Sequence, residues 1–446
     1  MKRALKHAAL ATVATSALMT GAQAEHYFLA TGRWDNTVIV IDLKKAIDKA
    51  NDGTPNAVFS RLRVTPDIDA GSGKVDTIAS GQPIIVTVDD AARRAYVVNH
   101  SGKSTPAQAA SFQHGWPGSV TVVNLDKALD KANAGTLNAV EGWIDSRGSG
   151  ATGFAIGPDR KFAALAHAED AGNEDGGRFI NIVDLAKNAV VQQIPQAYGR
   201  ADCPPAAIPH KAPDPGFGCY ADTNGVTISP LGGGTIFTAN GGTNDVSVIS
   251  LERAIAGDQK AELGRIPVQS GGFGISTSPD GRHVVIASRE DARDGKEANT
   301  VSIIDVEKAI ADPAKGEVAR VLSGTDDPNE ATRPFAAAFT PDGGTIIATN
   351  FRANNLAILD VKKALAGEKA EIKRVKLETP NGEPSRPRGI AFSSDGKYVA
   401  ISGAPKSKPD SGVVWVLDTA TWEVAGRVTE IGNESYIIGA FTGTAK

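Results

Sequence analysis

The sequence is poor in cysteine, in aromatic side chains and in net charge. Only two cysteines and two methionines occur among 446 residues. With 14 Phe, 6 Tyr and 5 Trp, few large side chains exist to fill one deep core. Lys and Arg number 47 against 51 Asp and Glu, a formal charge of −4, which excludes a nucleic-acid binder held by bulk electrostatics. A hydrophobic fraction of 41% and a charged fraction of 22% exclude a disordered polyelectrolyte. Beyond the first 24 residues, no apolar run is long enough to span a bilayer as a helix. What is plentiful is glycine (48) and proline (24). Many turns with few bulky side chains predict many short strands.

The first segment reads as an export signal. Lys2, Arg3 and Lys6 form a positive start, Ala8 to Ala22 an uncharged and mostly apolar run, and Ala22-Gln23-Ala24 a small-x-small cleavage site. Residues 1–24 are therefore expected to leave as a signal peptide. The mature chain, residues 25–446, is expected to be soluble and periplasmic or secreted. In that oxidising setting Cys203 and Cys219 are expected to form one disulfide across a Pro-rich loop. It would contribute roughly 3 kcal/mol in the chain-entropy picture. A thiolate metal site is the competing reading.

One pattern recurs along the mature chain. Ser278-Pro279-Asp280-Gly281 precedes HVVIAS and TVSIIDV; Thr340-Pro341-Asp342-Gly343 precedes TIIATN and NLAILDV; Ser394-Asp395-Gly396 precedes KYVAISG and VVWVLDT. Weaker copies begin at Gly157, Ser229 and Val88. Pairs of second and third strands start near residues 27, 95, 162, 236, 284, 346 and 398, seven in all. The first copy lacks its first strand, and YIIGAFTG at the C-terminus can supply it. An all-β, seven-bladed β-propeller of residues 25–446, closed by the C-terminal strand, explains all three features.

At these residues the chain resembles the YVTN-type propeller repeats of bacterial exported proteins. That superfamily includes lactonase-like propellers, haem d1-binding domains and amine dehydrogenase heavy chains. The resemblance implies the fold and leaves activity open.

The repeats are longer than ordinary blades because of inserts after the third strand, such as LKKAIDKANDG (43–53) and VKKALAGEK (361–369). They predict short helices, with Asp42, Asp305 and Asp360 as N-caps. A docking surface and a solvated capping turn are both open readings for them. In a four-stranded blade, this insert set marks one face, here the lower. The second-to-third and fourth-to-first loops then share the upper face, where propellers commonly bind ligands.

His100, His114, His167 and His210 all fall on that upper face, in adjacent blades. With Asp170, or Glu169, Asp175 or Asp202, they form a candidate zinc or copper site. Scattered surface histidines are the alternative. A periplasmic zinc-carrier family has this fold, but its His-rich tail is absent here. Arg333, Arg386 and Arg388 precede first strands in blades six and seven, and Arg33, Arg289 and Arg352 sit in second-to-third loops. They are candidates for an anionic ligand, or for bonding loop carbonyls.

No G-x-S-x-G elbow, no C-x-x-C-H haem attachment and no PQQ-docking tryptophan motif occurs. Two functions remain. One is a periplasmic binding protein that holds a metal or small ligand and hands it to a periplasmic protein partner. The other is a propeller enzyme, a lactonase-type hydrolase or an oxidoreductase, with His100 or His167 as base and Arg388 or Arg333 as electrostatic partner.

Overall fold

The structure, a computed structural model, describes residues 24–66, 81–100, 117–168, 177–197, 220–291, 294–403 and 409–446. Seven four-stranded antiparallel sheets make up this part of the chain. The fold is a seven-bladed β-propeller. Blade 2 runs from inner strand Pro83–Asp89 to outer strand Val140–Ser149, and blade 3 from Ala151–Ile156 to Ala189–Pro195. Blade 4 runs from Thr223–Ser229 to Glu262–Pro267, and blade 5 from Gly271–Thr277 to Glu317–Leu322. Blade 6 runs from Pro334–Phe339 to Glu371–Lys376, and blade 7 from Pro387–Phe392 to Glu423–Val428. Blade 1 is composite: Ile438–Gly443 lies innermost and pairs with Glu25–Gly32, followed by Thr37–Asp42 and Val58–Arg63. Each inner strand touches the inner strands on both sides, so the ring is closed.

The core is divided among the seven blade-to-blade interfaces. Each holds one apolar cluster: Val285, Val301 and Ile303 of blade 5, for example, meet Phe339, Ile346 and Leu359 of blade 6. Second and third strands are buried on both sides, which is why they read as unbroken apolar runs. Thr235–Asn240 is buried from end to end. Outer strands alternate: Glu371–Lys376 buries Val375 and exposes Ile372, Arg374 and Lys376. The inner strands pack so closely that a Cβ on Gly274 would lie 2.4 Å from the Ala336 Cα.

The expected inserts form helices at Leu43–Ala46, Leu125–Ala128, Leu251–Ile255, Val306–Ala311 and Val361–Leu365. Asp42, Asp305 and Asp360 accept the backbone N–H of Lys45, Lys308 and Lys363. Each helix buries two apolar positions against a neighbouring blade, such as Leu251 and Ala254 in the cluster between blades 3 and 4. In every blade the pairing of third and fourth strands shifts register just before this connection. The extra residue adds local twist as the chain leaves for the outer edge.

The ends of the chain meet in blade 1, and blade 7 is latched to it. Arg427 of blade 7 is ion-paired to Asp52, and the Gly53 N–H donates to the Arg427 carbonyl. Phe441, 1% exposed, stacks on Tyr27 at 5.6 Å between ring centroids. Phe441→Ala should therefore cost about 3–5 kcal/mol, because it empties the one sheet that joins the two termini. Urea unfolding checks this; a loss below 1 kcal/mol would contradict the closure described.

Candidate ligand site at the channel mouth

The inner strands begin on the upper face, and so do the loops between second and third strands. Between them the two sets carry arginine in blades 5, 6, 7 and 1. Arg33 sits in the loop after Glu25–Gly32, Arg289 ends the second strand of blade 5, and Arg333 directly precedes blade 6. Arg352 follows the second strand of blade 6, and Arg386 and Arg388 flank the first residue of blade 7. Arg333 and Arg386 have positive φ (52° and 45°), so the chain turns sharply into each inner strand there.

Aromatic rings from the same blades form the floor. Phe273 and Phe335 lie 4.3 Å apart between centroids, and Phe335 lies 5.8 Å from Tyr436 and 5.9 Å from Phe351. Guanidinium groups cover them. Arg333, Arg386 and Arg388 stand over Phe351 at 5.3, 5.6 and 5.3 Å, and Arg388 and Arg33 over Tyr436 at 4.5 and 5.2 Å. The ring faces supply part of the attraction that keeps these cations together. Below lies a channel cavity of about 200 Å³, lined from every blade by residues that include Ile85, Phe154, Val226 and Phe273.

Three carboxylates enter the cluster, and two arginines hold each of them. Glu290 bridges Arg289 (2.5 Å) and Arg333 (2.6 Å). Glu297 bridges Arg333 (3.2 Å) and Arg352 (2.8 Å). Glu434 accepts from Arg388 (3.0 Å) and Trp34 Nε1 (2.6 Å), with Arg33 at 3.8 Å. Arg388 also donates to the Ser435 carbonyl at 3.2 Å, so it both pairs with a carboxylate and bonds a loop carbonyl. Its Nε is buried without a hydrogen-bond partner. Burial pulls the Arg388 guanidinium below the ordinary arginine range, against the opposing pull of Tyr436 and Glu434. Arg289 is shifted the same way by burial, although 25% of its side chain remains accessible. It lines an enclosed space and is not packed into the core.

The histidines occupy another sector. His100 directly follows the second strand of blade 2 (Arg94–Asn99), and His167 ends that of blade 3 (Phe162–His167). The two adjoin through Ala151, whose carbonyl lies 3.2 Å from His100 Nδ1 and which is the strand partner of His167. His167 packs against Gly148, and its Nε2 is buried without a hydrogen-bond partner. Burial, with His100 alongside, lowers its pKa to about 4. His114, His210, Asp170, Cys203 and Cys219 lie outside the described residues, as do residues 1–23. Among the described residues, no three His, Cys, Asp or Glu side chains gather as a metal-holding group. No helix among them is long and apolar enough to cross a membrane.

His100 and His167 stand two or three blades away from Arg388 and Arg333 around the ring, so histidine base and arginine partner do not share one sector. The sequence reading missed Phe273, Phe335, Phe351 and Tyr436, and the glutamates among them. Their signal was position: Phe335 and Tyr436 occupy the same turn into an inner strand as Arg333 and Arg388.

The chain matches no family model and no curated protein sequence. Among solved structures, it resembles the periplasmic gluconolactonase PpgL of Pseudomonas aeruginosa at a TM-score of 0.59 and 15% identity, over 94% of this chain and 100% of that one. A putative 6-phosphogluconolactonase from Bacteroides uniformis gives 0.59 and 14%, over 94% and 100%. A Lactobacillus plantarum protein gives 0.60 and 12%, over 94% and 99%. What is shared is the fold.

Two outcomes follow from this geometry. Glu434→Gln leaves Arg388 buried without its carboxylate and should cost about 3–5 kcal/mol; adding Arg388→Met should restore a large part, as read in a double-mutant cycle of urea unfolding. Burial lowers the His167 pKa in the folded state to about 4, below the ordinary histidine range. The unfolded chain then binds the proton more readily as pH falls through that window. Up to about 3 kcal/mol present above pH 6.5 should be lost by pH 4, and His167→Gln should flatten that part of the stability–pH curve.

Proposed function

We propose that the upper channel mouth is the active site of a propeller enzyme that hydrolyses a lactone. The carrying observation is the guanidinium-rich mouth over an aromatic floor, in which every described carboxylate is already shared between two arginines. Lactone opening needs this kind of surface. The oxygen of water bonds to the carbonyl carbon, the carbonyl oxygen becomes an oxyanion, and the ring C–O bond breaks as the carbonyl re-forms; of the two water protons one goes to the leaving alkoxide and the other to solvent. Negative charge grows at the carbonyl oxygen and persists on the product carboxylate. Guanidinium N–H groups fixed in advance stabilise both. Arg289 and Arg333, which line the mouth without full enclosure, are the residues assigned to the oxyanion. Phe351 and Tyr436 offer faces against which a ring lies.

The same geometry limits the base. Glu290, Glu297 and Glu434 are committed to ion pairs, so their oxygens face guanidinium groups and not a substrate proton. The mouth therefore contributes charge stabilisation and orientation more than proton abstraction. The fold likeness to PpgL, named a gluconolactonase, supports the reaction class. For zinc or copper held by the histidines, the described residues offer only the adjoining pair His100 and His167. The export signal places the reaction outside the cytoplasm in this reading. N-terminal sequencing of the protein from a periplasmic fraction should begin at Glu25.

Titrating released acid at constant pH over a panel of aldonolactones tests the reaction. At least one should turn over, and Arg289→Gln should lower kcat by about 10²-fold, the effect of losing one oxyanion donor. Absence of turnover across the panel, in correctly folded protein, would sink the assignment.

A further inference from the structure

Charge accounting at the mouth identifies something more about its ligand. Six guanidinium groups (Arg33, Arg289, Arg333, Arg352, Arg386 and Arg388) meet three carboxylates, Glu290, Glu297 and Glu434. Five of the six arginines share those carboxylates. Arg386 has none: its guanidinium makes no hydrogen bond or ion pair among the described residues and only stands over Phe351, while its backbone N–H donates to Asn354. Beside it, Arg388 uses Nη1 and Nη2 but leaves Nε–H buried and unpartnered, with 4% of its side chain exposed. Three guanidinium groups thus crowd one benzene ring.

Such crowding opposes folding. Like charges near one another in a partly desolvated space repel more strongly than in bulk water. A buried N–H without an acceptor adds the cost of lost hydration. The aromatic faces offset part of this, but neither the third cation on Phe351 nor the orphan Nε–H is needed to close the ring. Both are satisfied by one event, the arrival of an oxyanion between Arg386 and Arg388.

We infer that the ligand of this mouth is a small molecule with at least two negative charges, and that Arg386 with Nε of Arg388 forms its anchoring subsite. The inference rests on the mouth being a ligand site and deepens that reading. A monoanion would neutralise one of the three surplus charges; a phosphate monoester or a di- or tricarboxylate neutralises two or three. The subsite lies beside Phe351, over which Arg333 also stands, so a molecule held there is within reach of an oxyanion donor.

Calorimetry on the mature protein at fixed ionic strength tests this with three probes: inorganic phosphate, tricarballylate and acetate. Phosphate or tricarballylate should bind at least about tenfold more tightly than acetate, and Arg386→Gln should weaken that binding by about tenfold or more, the worth of one charge-assisted hydrogen bond. Arg386→Lys should fall between. Without ligand, Arg386→Gln should melt no lower than the wild type, because it removes an uncompensated cation. Tighter phosphate binding identifies a phosphate monoester, and tighter tricarballylate binding a polycarboxylate. Equal binding of all three probes, or unchanged binding by Arg386→Gln, overturns the inference. Lactone turnover is scored separately. Turnover without polyanion binding removes this inference alone, and polyanion binding without turnover removes the hydrolase reading alone.

Discussion

Six residue pairs between Glu25–Ala30 and Ile438–Gly443 tie the start of the propeller to its end, and the rest of the structure depends on that ladder. No blade can bury both faces alone. Each apolar cluster is shared by two neighbours, so the ring holds seven interfaces only if the last blade finds the first. The composite sheet supplies that contact with backbone hydrogen bonds and with Phe441 on Tyr27. The ion pair of Arg427 with Asp52 adds a latch at the outer edge. Closure also removes the two free inner-strand edges that an open array would present.

Ring closure is what allows a charge cluster to form at the mouth. Arg33 is near one end of the chain and Glu434 near the other, yet they lie 3.8 Å apart across the junction of blades 7 and 1. Tyr436, which receives a hydrogen bond from Arg33 at 3.0 Å, belongs to the turn that leads into the closing strand. The element that completes the fold therefore also completes the site. Strand starts on blades 6 and 7 and second-strand ends on blades 5, 6 and 1 fix the guanidinium groups, so their positive field is set before any ligand arrives.

The fold was legible because propeller blades repeat a local signal. Pro-Asp-Gly turns, apolar runs such as TVSIID and a capping Asp at the end of third strands (Asp42, Asp184, Asp305, Asp360 and Asp418) depend on neighbours a few residues away. The orphan strand at the C-terminus was legible because the first repeat was one strand short. The site was legible in part. Arg33, Arg289, Arg333, Arg352, Arg386 and Arg388 stood out as upper-face arginines, since loop position alone assigns a face. His100 and His167 adjoin as their matching repeat positions suggested, but the remaining proposed ligands lie outside the described residues. Phe273, Phe335 and Phe351 were missed because an aromatic residue beside a strand end reads as core until its neighbours across the channel are known.

By itself the sequence determined how many blades form, where each turns and which loops share a face, because those properties follow from short-range periodicity and turn chemistry. Tertiary structure alone decided which sector of the mouth carries the charge. Whether a guanidinium meets a carboxylate, a ring face or nothing depends on the angle between blades and the reach of side chains across the channel. Arg386 and Arg388 are two residues apart in the chain, yet one pairs with Glu434 and the other does not. That difference is made by residues nearly fifty positions away, brought alongside only when the ring closes.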